Sequence, residues 1–164
     1  GLLATYRQDH GDLLYRRGMY TFIKRTVPPP SMMIFDASNR DQCEVNRPRT
    51  NTPLQALIMM NDPTVLESSR AMADLLIQEK KNPEAAVTEA FMRIINRHPD
   101  KNEADLLVQY LKEQKDYFNS HPEDVKKITK VGEYKATTAP SPDLAATMQL
   151  IQVIYNMDEA ITKT

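Results

Sequence analysis

This sequence predicts an all-α fold, and three observations carry the prediction. Proline follows a capping-type residue at Thr52-Pro53, Asp62-Pro63, Asn82-Pro83 and Ser141-Pro142, the arrangement that begins helices. Apolar residues recur at three- and four-residue spacing through most of the chain after Pro63. Nowhere does apolar and polar alternation last long enough to build a sheet. One domain of six or seven helices over residues 1–164 follows, with an irregular, proline-rich wrap near its N-terminal end.

In chain order, residues 2 to 25 read as mostly helical, with the main helix from Asp12 to Arg25. Its face carries Arg16, Arg17, Lys24 and Arg25 with Tyr15, Tyr20 and Phe22 interleaved, the composition of a weak polyanion surface. We read it instead as a solvated helix with its aromatics turned to the core. Val27-Pro28-Pro29-Pro30 stops that helix, because prolines remove donors and enforce an extended path. The irregular region spans 27–51, with Met32-Met33-Ile34-Phe35 expected extended against the core and the residues from Asp36 to Asp41 supplying turn chemistry. So long an irregular stretch predicts either a functional loop or one fixed by polar contacts.

Thr52 as N-cap, Pro53 at the first helical position and Gln55 closing a capping box predict a helix from Pro53. Leu54, Ala56, Leu57, Ile58, Met59 and Met60 leave it no polar face, so it is expected at the buried centre. Asp62-Pro63 launches the next helix, to about Glu79. Asn82-Pro83 launches another with Val87, Ala90, Phe91, Ile94 and Ile95 on one side. Asp100 with Glu103 caps the following helix, whose Leu106, Leu107, Tyr110, Leu111, Tyr117 and Phe118 share a side. Ser120 with Glu123 is expected to start a short helix that Gly132 ends in a left-handed cap. After a polar loop at 133–140, Ser141-Pro142 opens a last helix with apolar residues on two sides, through Ile161.

Apolar residues at 41% and charged residues at 26% suffice for one substantial core in a chain of this size. The net charge of −1 leaves no global field toward nucleic acid or an anionic membrane. Residues 1–51 carry eight Lys or Arg against five Asp or Glu, a mild asymmetry that surface scatter explains as well as a partner does. Cys43 is the single cysteine, so no internal disulfide, zinc cluster or haem-attachment motif is expected. No apolar run has the length of a membrane span, and the N-terminus lacks a signal-peptide pattern. The leading Gly1 reads as the start of an excised C-terminal fragment of a larger protein.

Tyr15-Arg16-Arg17, Tyr20-Thr21-Phe22, Pro28-Pro29-Pro30-Ser31-Met32, Phe35-Asp36-Ala37, Arg49-Thr50-Asn51-Thr52-Pro53-Leu54-Gln55-Ala56-Leu57 and Asn61-Asp62-Pro63 form an ordered set. Asn156-Met157-Asp158-Glu159 follows near the end. This set resembles the C-terminal domain of unknown function of planctomycete-type cytochrome-c-containing multidomain proteins, found in planctomycetes and Bacteroidetes. Gly18 and Asn46 depart from the pattern, where serine and arginine are expected. The resemblance implies an exported, extracytoplasmic protein whose partners are other domains of the same polypeptide. Any haem would lie on an upstream domain, with no cofactor or metal on this chain. It carries over no catalytic residue.

Candidate ligand or domain-docking residues are Asp36, Arg40, Arg47, Arg49, Asn51, Gln55, Asn61 and Asp62, with Cys43 and Thr50 beside them. Guanidiniums beside carboxylates and amides can clamp an anion through paired hydrogen bonds. The same residues can equally satisfy the backbone of an irregular loop. Cys43 has no histidine near it in sequence, and His10, His98 and His121 lack metal-ligand spacing, so a buried thiol is expected. Asp158 and Glu159 point about 100° apart on one helix and suit an inter-helix salt bridge better than acid–base chemistry. The leading expectation is an accessory or interaction domain. Its alternative is part of a hydrolase or oxidoreductase site holding an anionic or sulfated glycan through Arg40, Arg47 and Arg49. Internal pairing of these side chains favours the first, and convergence on an open pocket the second.

Overall fold

The structure, a computed structural model, describes residues 8–24, 27–38, 45–46, 50–79 and 82–162. The chain divides into two compact units, residues 1–58 and 59–164. Eight α-helices are present among the described residues: α1 Pro30–Ile34, α2 Pro53–Asn61, α3 Pro63–Gln78, α4 Pro83–Ile95, α5 Lys101–Ser120, α6 Pro122–Ile128, α7 Pro142–Tyr155 and α8 Asp158–Ile161. Among those residues, backbone pairing outside helices amounts to one isolated bridge, Lys24 with Val27, so the fold is all-α.

The helix starts obey local chemistry. The Thr64 amide donates to Asp62 Oδ1 at 2.8 Å, that of Ala85 to Asn82 Oδ1 at 2.7 Å, and that of Leu144 to Ser141 Oγ at 3.2 Å. Asp100 and Glu103 form a full capping box, each accepting from the other's backbone amide. At Thr52 the box also closes: the Gln55 amide donates to Thr52 Oγ1 and the Thr52 amide to Gln55 Oε1. Each contact satisfies an amide that the helix cannot.

The second unit is organised around α7. Nine of its residues are buried, from Leu144 to Ile154, and it packs against α3, α4, α5, α6 and α8. Leu144, Met148, Leu150, Ile151 and Ile154 meet Ala73 and Leu76 of α3, Val87, Ala90 and Phe91 of α4, and Leu107 of α5 in one core cluster. A second cluster joins Ala145 and Ala146 to Phe118 and Val125. A helix apolar on both sides fits between neighbours on both sides, which is where the sequence expected it.

Several sequence expectations are overturned. The helix expected from Asp12 to Arg25 is two 3-10 turns, Gly11–Tyr15 and Gly18–Tyr20, because two glycines and an irregular apolar spacing give no face that packing can select. Tyr15, Tyr20 and Phe22 are exposed rather than turned inward. Residues 32–35 are not extended: Pro29 and Pro30 act as a helix start, and α1 follows. The helix expected at Ser120 begins at Pro122, since α5 runs on through Ser120. It ends at Ile128, and Gly132 takes its left-handed conformation, φ 85°, in the loop beyond. Leu106 and Tyr117 are exposed despite lying in the apolar stripe of α5. The last helix stops at Tyr155, and Met157 starts α8.

The largest correction concerns α2. Gln55 is its one buried residue, while Leu54, Leu57 and Met60 are 52%, 55% and 53% exposed. The buried centre is α7. Apolar composition all round a helix calls for cover but does not name the element that supplies it.

Candidate functional site

In the first unit, three candidates gather on one amide. Gln55 lies 1% exposed, and its Nε2 donates to the Ile34 carbonyl at 2.8 Å and to Thr50 Oγ1 at 3.0 Å. Thr50 Oγ1 in turn donates to Asp36 Oδ2 at 2.7 Å, and the Thr50 amide reaches the same oxygen at 2.8 Å. Asp36 sits just past the end of α1 at φ 56°, a left-handed position that aspartate tolerates better than most residues. Gln55 therefore ties three places together: the end of α1, the stretch of chain at Thr50 and its own cap at Thr52. A buried amide must be paired in this way to avoid the cost of desolvation.

Asp62 is the cap of α3, and Asn61 is the exposed last residue of α2. Asn51 is exposed beside Thr50. Arg40, Arg47, Arg49 and Cys43 lie outside the described residues, so the expected arginine clamp does too.

Around this hub the first unit has few buried side chains. Among its described residues only Pro29 and Gln55 are buried. Tyr20 and Phe22 are 65% and 75% exposed, and on α2 Leu54 and Leu57 are exposed too. Other apolar side chains, among them Met32, Ile34 and Phe35, are half-buried, and a polar network holds the inside.

The second unit carries two polar constructions that sequence reasoning missed. Glu67, Arg70 and Asp74 line one face of α3, all buried, and they grip the loop that follows α6. Arg70 donates through Nη1 to the Thr129 carbonyl and through Nη2 to the Tyr134 carbonyl at 2.6 Å, with its guanidinium near the Tyr134 ring. Glu67 accepts the Glu133 amide. Asp74 accepts the amides of Thr137 and Thr138, each at 2.8 Å, and the Tyr134 hydroxyl at 3.1 Å. Burial pushes the Asp74 carboxyl up, but hydrogen bonds from Thr138, Thr137 and Gln78 outweigh burial and hold it well below the usual carboxylate range. The spacing i, i+3, i+7 was visible, but the partners lie about sixty residues on.

The other construction is Arg97, which follows the left-handed Asn96 that ends α4. Its Nη1 and Nη2 meet both Glu103 oxygens at 2.8 and 2.7 Å, and its Nε and Nη2 meet both Glu159 oxygens at 2.8 and 2.9 Å. Arg97 and the Asp100 amide together bring the Glu103 carboxyl down to about 2. Glu159 thus makes a salt bridge, but to the loop between α4 and α5 rather than to another helix, and it ties α8 to that corner.

A groove of about 280 Å³ opens between the end of α3 and the starts of α4 and α7, with α5 alongside. No helix among the described residues is long and apolar enough to cross a membrane.

Comparison with protein-family models matches residues 3–111 to PSD1, described as a protein of unknown function (DUF1553). No curated protein matches the chain. No solved structure does either. The matched stretch takes in the Gln55 hub, α2, the polar face of α3 and Arg97, and it stops before the loop that α3 grips.

Proposed function

Because this chain belongs to the PSD1 family of proteins of unknown function (DUF1553), whose description offers no chemistry to borrow, we propose its role from its surfaces: it is an accessory docking domain. Its partner in this reading is another domain of the same polypeptide, and the protein is an exported multidomain one. One observation carries the reading. The first unit keeps only Pro29 and Gln55 buried among its described residues and leaves Tyr15, Met19, Tyr20, Phe22, Leu54 and Leu57 exposed. So many large apolar side chains exposed on one small unit favour an interaction surface. Covering Leu54, Leu57 and Phe22 would contribute about 1 kcal/mol or more apiece.

The Gln55 network supports the same reading. Asp36, Thr50 and Gln55 are spent on each other and on the Ile34 carbonyl, which leaves them suited to presenting a surface rather than to holding a ligand. The likeness of the motifs to the C-terminal domain of cytochrome-c-containing proteins is the support for the multidomain, exported setting.

Hydrogen exchange tests the proposal. Amides of residues 54–60 should exchange faster in the isolated 164-residue chain than in the full-length polypeptide. Leu57→Lys should leave the isolated chain's thermal midpoint unchanged and lower that of the full-length protein. Equal exchange in the two, together with no effect of the substitution on the longer protein, would remove the proposal.

A further inference from the structure

The groove in the second unit has a chemistry that the docking role does not use. Its floor is apolar: Leu76 and Ile77 from α3, Ala86 from α4, Leu111 from α5 and Ala146 from α7. Two lysines, Lys112 and Lys115, stand on its α5 side. Lys115 Nζ is held by Asp143 Oδ1 at 2.6 Å. Lys112 has no carboxylate partner among the described residues and is exposed at the mouth. The rim therefore carries two positive charges against one negative above an oily floor.

We propose that this groove binds a small amphiphile with a carboxylate head, of the medium-chain fatty-acid type. At about 280 Å³ the space equals roughly nine waters at ~30 Å³ each, which accommodates a short acyl chain. The tail lies along Ile77, Pro83 and Leu111, the accessible part of the apolar lining, where few polar groups exist to hold water. The head meets Lys112, whose stem covers the tail while its ammonium stays wet. Asp143 keeps Lys115 at the rim and sets the polarity, because a cationic head would face two lysines and an already paired carboxylate. The inference is independent of the docking role, since it uses only residues of the second unit and none of the first.

Titration of the 164-residue chain with octanoate, octylammonium and octanol, followed by methyl and amide NMR shifts, tests it. Octanoate should move the signals of Leu76, Ala86, Leu111, Ala146 and Thr147 together, saturably, and raise the thermal midpoint as a ligand of the folded state must. Octanol should bind more weakly, by about two- to five-fold, and octylammonium more weakly still. Lys112→Glu, a surface change with no partner to lose, should weaken octanoate by about five-fold or more and reverse the order of the two charged probes. Ala86→Leu should close the groove and abolish binding of all three while the unliganded chain stays folded. If octylammonium binds wild-type protein as well as octanoate does, if the shifts fall elsewhere, or if no probe binds, the inference is overturned.

Discussion

A methyl group at position 132 would collide with the Glu67 carboxylate and lie 2.7 Å from the Glu67 Cβ, and residue 132 sits at φ 85°. Both facts require glycine there. Gly132→Ala should cost about 2–4 kcal/mol, read as a lowered urea midpoint at unchanged slope. Asp74 is the other single residue with a large stake. Its folded carboxyl holds its proton less tightly than the unfolded one, so unfolding takes up a proton. The stability it contributes is complete above the ordinary carboxylate pKa of about 4 and is lost as pH falls from about 5 toward 2 and below. Asp74→Asn should cost about 2–3 kcal/mol at neutral pH and flatten the dependence of stability on pH over that interval. The left-handed backbone at Gly132 was legible, though as a helix cap and not as a seat for Glu67; Asp74 was not legible. A buried acid on a helix looks like any exposed one until the loop it serves, some sixty residues away, is in place.

The helices were legible where their signals are local. Thr52 with Gln55, Asp62, Asn82, Asp100 with Glu103, and Ser141 all cap as their side chains and the neighbouring prolines dictate. Illegible was anything set by a neighbour: the exposure of Leu106, the division of the last helix before α8, and above all the placing of α2 outside. At this scale Arg97 is the informative substitution. Arg97→Ala removes paired contacts to Glu103 and Glu159 and should lower the thermal midpoint slightly, the loss shrinking as salt is raised. Faster exchange should be confined to α8 and the first turn of α5. A uniform loss of protection across α3 and α7 would contradict a local tie.

For the whole molecule, the two units differ in what stabilises them. The second contains both apolar core clusters, whereas the first relies on hydrogen bonds around Gln55. A fragment from Met59 to Thr164 should unfold cooperatively, with near-native ellipticity per helical residue. A fragment from Gly1 to Ile58 should show no cooperative transition. The all-α class followed from periodicity and the absence of alternation, but that periodicity is strongest in the second unit. In the first, the decisive side chain is a single glutamine, whose burial no hydropathy pattern announces. The expected arginine clamp falls on Arg40, Arg47 and Arg49, outside the described residues.

The grip of α3 on the loop after α6 has one more implication. Apart from the Tyr134 and Thr138 side chains, Glu67, Arg70 and Asp74 hold main-chain carbonyls and amides, at Thr129, Glu133, Tyr134, Thr137 and Thr138. Peptide groups are the same whatever residue carries them. The exposed Lys135 and Ala139 are thus open to replacement by almost any amino acid, which makes this segment the natural place to accept a foreign epitope or a randomised library.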